Sequence, residues 1–194
     1  VMLKCVVQGM LTPVPGTMSR RDTFTVYLRQ SSPPYMIIDS ARSEVDTVTL
    51  TGWFRFAVAS TGTYFIVVRH FNSLETWSRA GGQFLQRGTL NLYDFTAASS
   101  QAYGDNMKLK AGKWCFYSGD INQDRYIDGS DLIRISSSSY VFEVGTRLKE
   151  DLDGNGVVDG TDYLIGDNNR FFIGTISPLN SDRKDDSLEE WKTY

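Results

Sequence analysis

Two stretches of this sequence place oxygen-bearing side chains at the spacing a hard cation requires. DINQDRYIDGSD runs from Asp120 to Asp131, and DLDGNGVVDGTD runs from Asp151 to Asp162, 31 residues further on. In the first, positions 1, 3, 5, 9 and 12 are Asp120, Asn122, Asp124, Asp128 and Asp131. In the second they are Asp151, Asp153, Asn155, Asp159 and Asp162. Position 7, Tyr126 or Val157, offers a backbone carbonyl. This is the ligand order of an EF-hand-type calcium loop, so the sequence predicts two calcium ions.

Each slot has a physical reason. Calcium takes six to eight oxygens at about 2.3–2.6 Å, and alternate residues of a tight loop point to one centre. Position 6 must turn sharply, which favours glycine. Gly156 fits, but Arg125 does not and adds a positive charge. Position 8 is apolar in both loops, Ile127 and Val158, and the two are expected to meet back to back through a short strand contact. Position 12 is Asp rather than Glu, so the following helix must approach more closely. Magnesium fits less well, because it keeps its waters and demands stricter octahedral geometry. One such run is weak evidence, since Asp and Asn also crowd ordinary turns. Two matched runs are strong evidence: they gather eight aspartates, without which the formal net charge of −3 would be +5.

The elements that must position these loops follow from what flanks them. DLIRI (131–135) and DYLIG (162–166) predict a short helix after each loop, with Ser130 and Thr161 as N-caps. Leu132, Ile135, Tyr163 and Ile165 are expected to pack the two helices together. Carboxylate repulsion must be overcome there, so folding of this unit should be coupled to the ions. Residues 1–117 read differently. KCVVQGML (4–11), TFTVYLRQ (23–30), YMIIDSA (35–41), WFRFAVA (53–59) and TYFIVVRHF (63–71) are short β-rich runs separated by TPVPG, SSPP and STGT. They predict an antiparallel β-sandwich. In the last of them Tyr64, Ile66 and Val68 share one face and Phe65, Val67 and Arg69 the other, so that strand should be central. Residues 72–116 read as further strands or edge loops. The expected organisation is a sandwich over 1–117, a small α calcium unit over 118–178, and a charged tail over 179–194 in which Trp191 and Tyr194 are solvated. The fold class is therefore mainly β.

Composition excludes several functions. Charge is near balance and the isoelectric point is about 5.2, which argues against a nucleic-acid binder. No apolar run is long enough to insert into a membrane. The start at Val1 suggests processing or a fragment, and no signal peptide is visible. Cys5 and Cys115 lack metal or redox spacing. A disulfide between them would close a long loop worth about 4–5 kcal/mol on the chain-entropy view; the alternative is two buried free thiols. No nucleophile motif accompanies His70, the single histidine, so a structural hydrogen-bonding role is expected. Trp53, Trp77 and Trp114 are read as core and strand packing rather than as a sugar-stacking face. No catalytic residue is predicted.

The duplicated loop with Asp at position 12 and a short helix after it resembles the dockerin modules of secreted bacterial proteins. HFNSLETWS (70–78), YDFTAASSQAYGDNM (93–107), KWCFYSGDINQD (113–124) and DGTDYLIGDNN (159–169) are similar to modules in surface and secreted proteins of Bacteroidetes and related phyla. In those, a transthyretin-like or carboxypeptidase-regulatory-like sandwich precedes a dockerin-like calcium unit. The resemblance implies an extracellular or cell-surface, non-catalytic module. The expected role is a calcium-stabilised structural or adhesive subunit, as of a surface assembly or filament, with protein neighbours paired through sandwich edges. Two other roles compete: docking to a cohesin-like partner, against which SSSS (136–139) offers no hydrophobic patch, and carbohydrate binding.

Overall fold

The structure is a computed structural model that describes residues 1–170 and 174–179. It is mainly β. Ten strands come first: β1 (Met2–Lys4), β2 (Asp22–Gln30), β3 (Ile37–Val45), β4 (Thr51–Trp53), β5 (Gly62–Arg69), β6 (Thr76–Trp77), β7 (Gln83–Leu85), β8 (Leu92–Asp94), β9 (Lys108–Lys110) and β10 (Lys113–Cys115). Two α-helices follow, α1 (Gly129–Tyr140) and α2 (Gly160–Asp167).

The expected antiparallel sandwich is corrected in its topology. Seven strands run in the order β6-β5-β2-β3-β4-β1-β8, with β7 also paired to β5, so the eight form one sheet. Strands β1 and β8 pair in parallel, while β9 and β10 make a separate hairpin. The sheet curls: Leu3 of β1, Val26 of β2, Ile66 of β5, Leu85 of β7 and Tyr93 of β8 share one core.

Alternation explains the central strands. Along β2, Asp22, Phe24, Val26 and Leu28 are buried while Thr23, Thr25 and Tyr27 are only partly so. In β5, Tyr64, Ile66 and Val68 enter the main core, and Phe65 and Val67 pack with Trp77 in a second cluster. Both faces of β5 are covered, as the sequence predicts for a central strand.

Three predicted runs behave differently. Only Met2–Lys4 begins the first as a strand; at Val7–Leu11 the chain closes a turn, with Leu11 N–H donating to Val7 O at 3.2 Å. Gly9 lies in that turn, and a Cβ there would collide with the Leu152 carbonyl, so the run is spent on a close approach to the helical unit. The second, β3, extends to Val45 through polar DSARSE, which carries no apolar signal but pairs along β2. In the third, β4 stops at Trp53. Beyond it Asp39 accepts from Val58 and Ala59 N–H at 2.5 and 2.9 Å, and Arg87 donates to Ala59 O at 2.8 Å. Side chains satisfy a backbone that the ladder does not.

Cys5 and Cys115 are free thiols, both buried in the main core, which corrects the expected disulfide. As thiols they act as small apolar side chains. Burial pushes the Cys5 thiol up beyond its usual range, and Cys115 up to about 12, so neither is a thiolate at neutral pH. The tail expected over 179–194 lies, from residue 180 on, outside the described residues, as do Trp191 and Tyr194. No helix among the described residues is long and apolar enough to cross a membrane.

Candidate metal centre

Each acidic loop wraps the start of the helix after it, for a reason the sequence reading assigned to other residues. The N-caps are Asp128 and Asp159, not Ser130 and Thr161. Asp128 Oδ1 accepts from Ser130 N–H at 2.8 Å, and Asp159 Oδ1 from Thr161 N–H at 2.7 Å. Asp131 and Asp162 reach back to the N–H of residues 128 and 159 at 3.1 and 2.9 Å, closing a capping box. Positions 9 and 12 therefore nucleate the helix as well as facing the loop, because a carboxylate satisfies N–H groups that the first turn leaves bare.

Position 12 also folds its own loop. Asp162 Oδ1 accepts from Leu152 N–H at 2.7 Å and Asp153 N–H at 3.0 Å. Asp131 Oδ1 does the same for Ile121 and Asn122 at 2.9 and 3.2 Å. Both loops turn through left-handed backbone at positions 4 and 6: Gln123 (φ 63°) and Arg125 (φ 80°) in the first, Gly154 (φ 74°) and Gly156 (φ 90°) in the second. Arg125 takes the glycine conformation and leaves its side chain exposed. Its backbone N–H donates to Asp120 Oδ2 at 3.2 Å, as Gly156 N–H does to Asp151 Oδ2 at 3.1 Å.

The second loop gathers three carboxylates. Single oxygens of Asp151, Asp153 and Asp162 all lie within 4.8 Å of one another. Oxygens on opposite sides of one calcium ion are separated by about twice the 2.3–2.6 Å bond, so the cluster has the right size. In the first loop no three carboxylates gather so closely among the described residues. There the signal is an orphan: Asp120 is 1 % exposed, and its Oδ1 is buried with no hydrogen-bond partner. Burial pushes the Asp120 carboxyl up to about 7, with the charges of Asp131 and Asp124 acting the same way. Asp153 is pushed up to about 6 by burial and by Asp162 and Asp151, against a backbone hydrogen bond from Asn155. Asp131 and Asp162 are raised too, burial first. Burial and mutual repulsion that raise a group of carboxyls together mark a place where a cation would offset their charge. The donor set, all hard oxygens, fits calcium.

Asn122 and Asn155 turn their Oδ1 to the N–H groups of Asp124 and Val157, at 2.8 and 2.7 Å. Asp124 is exposed. The back-to-back contact expected of Ile127 and Val158 is replaced by a reciprocal one. Tyr126 of the first loop bridges Gly174, beyond α2, and Val157 of the second bridges Val144, beyond α1. Thr175 N–H donates to Arg125 O at 2.8 Å, and Val158 N–H to Glu143 O at 2.8 Å. Each loop is thus completed by the segment that follows the other loop's helix. A signal for this existed: an apolar run ending in glycine, VFEVG (141–145) and FFIG (171–174), follows each helix in the sequence. Between the helices, Ile121, Leu132, Ile135 and Leu152 form a small core, with Tyr163 and Ile165 against it. This agrees with the residues predicted to pack the helices.

What the sequence did not reveal is the charged junction behind the second loop. Arg20 Nη1 donates to Asp151 Oδ2 at 2.8 Å, and Arg20 Nε to Asp22 Oδ2 at 3.2 Å. Arg147 Nη2 lies 3.1 Å from Asp22 Oδ1. His70, buried between the rings of Phe24 and Phe71, has Nε2 3.5 Å from Asp22 Oδ2, too long for a good hydrogen bond. Burial lowers its pKa, with Asp22 opposing, so the ring is neutral. Among the described residues neither ring nitrogen has a hydrogen-bond partner, so the expected hydrogen-bonding role is not seen and the ring serves as aromatic packing. Of the three tryptophans among the described residues, Trp77 is core, Trp114 is partly buried, and Trp53 is exposed, so they make no aromatic row.

No protein-family model matches the chain, and no curated protein does. Two solved structures are similar to it in outline. One is a chain of an N-terminal interface mutant of a type II cohesin–X-dockerin complex from Acetivibrio cellulolyticus. It is 15 % identical with a TM-score of 0.47, over 89 % of this chain and 92 % of that one. The other is a chain of the C-terminal interface mutant of the same complex, 14 % identical, again with a TM-score of 0.47, over 89 % and 96 %. At these scores the likeness decides nothing about the site.

Proposed function

We propose that the chain is a non-catalytic, calcium-stabilised structural or adhesive module of an extracellular or cell surface, built to hold protein neighbours. The observation that carries this is the convergence of Asp151, Asp153 and Asp162 within 4.8 Å in one half of a repeated loop. Asp120 and its orphaned oxygen serve the other half. The ligands would be the position 1, 3, 5 and 12 side chains with the carbonyls of Tyr126 and Val157; Asp128 and Asp159, turned to cap their helices, would act through a water. Extracellular modules fill such sites at affinities of roughly 0.1–1 mM. Calorimetric titration of chelated protein should find two ions per chain. EDTA should lower the melting temperature and speed proteolysis, and no change in either would defeat the reading.

A second reading, docking to a cohesin-like protein through the helices, gains support from one observation. The sequence offered no hydrophobic patch, yet Ile133 and Tyr140, two turns apart on α1, are 70 % and 86 % exposed. Val141, Phe142, Val144 and Leu164 are exposed as well. Large apolar side chains exposed on and just after the helices are the kind of surface a protein partner would cover. Titration against cohesin modules, with Ile133→Asp plus Tyr140→Asp as the control, separates the two readings.

A further inference from the structure

The two loops are held by the β unit in different ways. The first touches it through position 4, where Gln123 Nε2 donates to Ser73 O at 3.3 Å and to Asp120 O at 2.6 Å, and through Thr175, whose Oγ1 donates to Glu75 O at 3.1 Å. No ligand carboxylate is involved. The second is gripped at the ligands themselves. Ser19 Oγ donates to Asp153 O at 2.5 Å, and Asn72 Nδ2 to Asp151 O at 3.0 Å. Asp151 is fully buried, and its Oδ1 accepts from Gly154 and Asn155 N–H at 2.8 and 3.1 Å. Its Oδ2 accepts from Gly156 N–H and from Arg20. Arg20 thus reaches this carboxylate from outside the loop, whereas the backbone donors all belong to the loop itself. The guanidinium is itself fixed. It lies over the Phe71 ring at 5.8 Å, and its Nε is tied to Asp22, a buried residue at the start of β2.

We propose that Arg20 is a positioning residue of the second calcium loop, and that the ion in this loop thereby clasps the helical unit to the β unit. The proposal rests on the calcium reading above. A guanidinium that spans two carboxylates through different nitrogens sets their separation and orientation, which a point charge does not. Anything that fixes Asp151 then also fixes Arg20 and the start of β2. By linkage, calcium stabilises whatever its ligand is bonded to. The first loop reaches the β unit through Gln123 and Thr175, at Ser73 and Glu75 and away from residues 18–24, so its ion leaves that segment untouched.

Hydrogen exchange on the full chain, with and without calcium, tests this. In the natural sequence calcium should slow exchange about tenfold or more in residues 151–162 and in residues 18–24, where the ladder begins. Asp162→Asn keeps an acceptor for the loop N–H groups but removes the charge. It should abolish calcium protection of 18–24, whereas Asp131→Asn should leave it intact. Arg20→Gln should retain calcium protection of 151–162 while protection of 18–24 falls below about twofold. Arg20→Lys, which keeps the charge but not the two-point bridge, should lose the same coupling and covers the case in which Arg20→Gln fails to fold. Calcium protection of 18–24 that survives Arg20→Lys, or that Asp131→Asn removes as well as Asp162→Asn, overturns the clasp. Absence of calcium heat and of protection in both loops overturns the calcium reading itself, a different result.

Discussion

Arg125 stands where its copy has Gly156, and both hold left-handed backbone. The conformation costs an L-residue about 1–2 kcal/mol, some of which glycine returns through a more flexible unfolded chain. Arg125→Gly should therefore raise stability by about 0.5–1 kcal/mol in urea unfolding with calcium present. The raised carboxyl groups make a second prediction. Asp120 near 7, Asp153 near 6, and Asp131 and Asp162 also raised all stand above the roughly 3.9 of an unfolded Asp. Between those limits the folded, metal-free chain holds protons that the unfolded chain releases, so its stability falls as pH rises. His70, held low by burial, acts the other way below about 6.5, but it is one group against four. In EDTA the melting temperature should be higher near pH 5 than near pH 7.5, and excess calcium should reverse that order. A flat profile in EDTA would mean the carboxylates are not strained.

At the scale of elements, the helices depend on the same acids as the loops. Asp159→Ala removes the N-cap of α2 and should cost about 1 kcal/mol even in the chelated protein, measured by chemical unfolding. Ile135→Ala empties the small core between the helices and should cost about 2–5 kcal/mol. Gly154→Ala should be worse than an exposed glycine change, since a Cβ would stand 2.6 Å from Ser19 Oγ and the φ is positive. Much of this level was legible in the sequence. The loops, the helices after them and the helix-packing residues follow from local spacing. So does β5, because its alternation is local. The caps were misplaced because Asp128 and Asp159 were already assigned to the metal, and one carboxylate can serve both purposes. The polar half of β3 and the irregular run after Trp53 were not legible, because long-range partners such as Asp39 and Arg87 decide their conformation.

For the whole molecule, the junction decides how many units melt. Asn169 Nδ2 donates to Gln8 Oε1 at 2.6 Å and to Ser118 O at 2.8 Å, Thr175 Oγ1 donates to Glu75 O at 3.1 Å, and Gly9 N–H donates to Ser118 Oγ at 2.8 Å. Together with the bridge from Arg20 to Asp151, these buried bonds tie the β-rich part of the chain to the helical part, which predicts that they unfold together. Calorimetry in calcium should record a single transition, and chelation should shift it or split it while the large core melts later. The junction was invisible in sequence because Arg20, Asp22, Asn72 and Asp151 are scattered along the chain and none of the contacts between them follows from a motif.

The crossed closure of the loops also imposes an order in time. The segment that completes the second loop, Glu143–Gly145, precedes that loop in the chain, whereas Gly174 and Thr175, which complete the first, come after both loops and both helices. A chain growing from its N-terminus can finish the second loop once Asp162 is made. The first loop, although made earlier, waits half-built until residue 175. On the calcium reading, the site held against the β unit would be the first to close, and the loop carrying Arg125 the last.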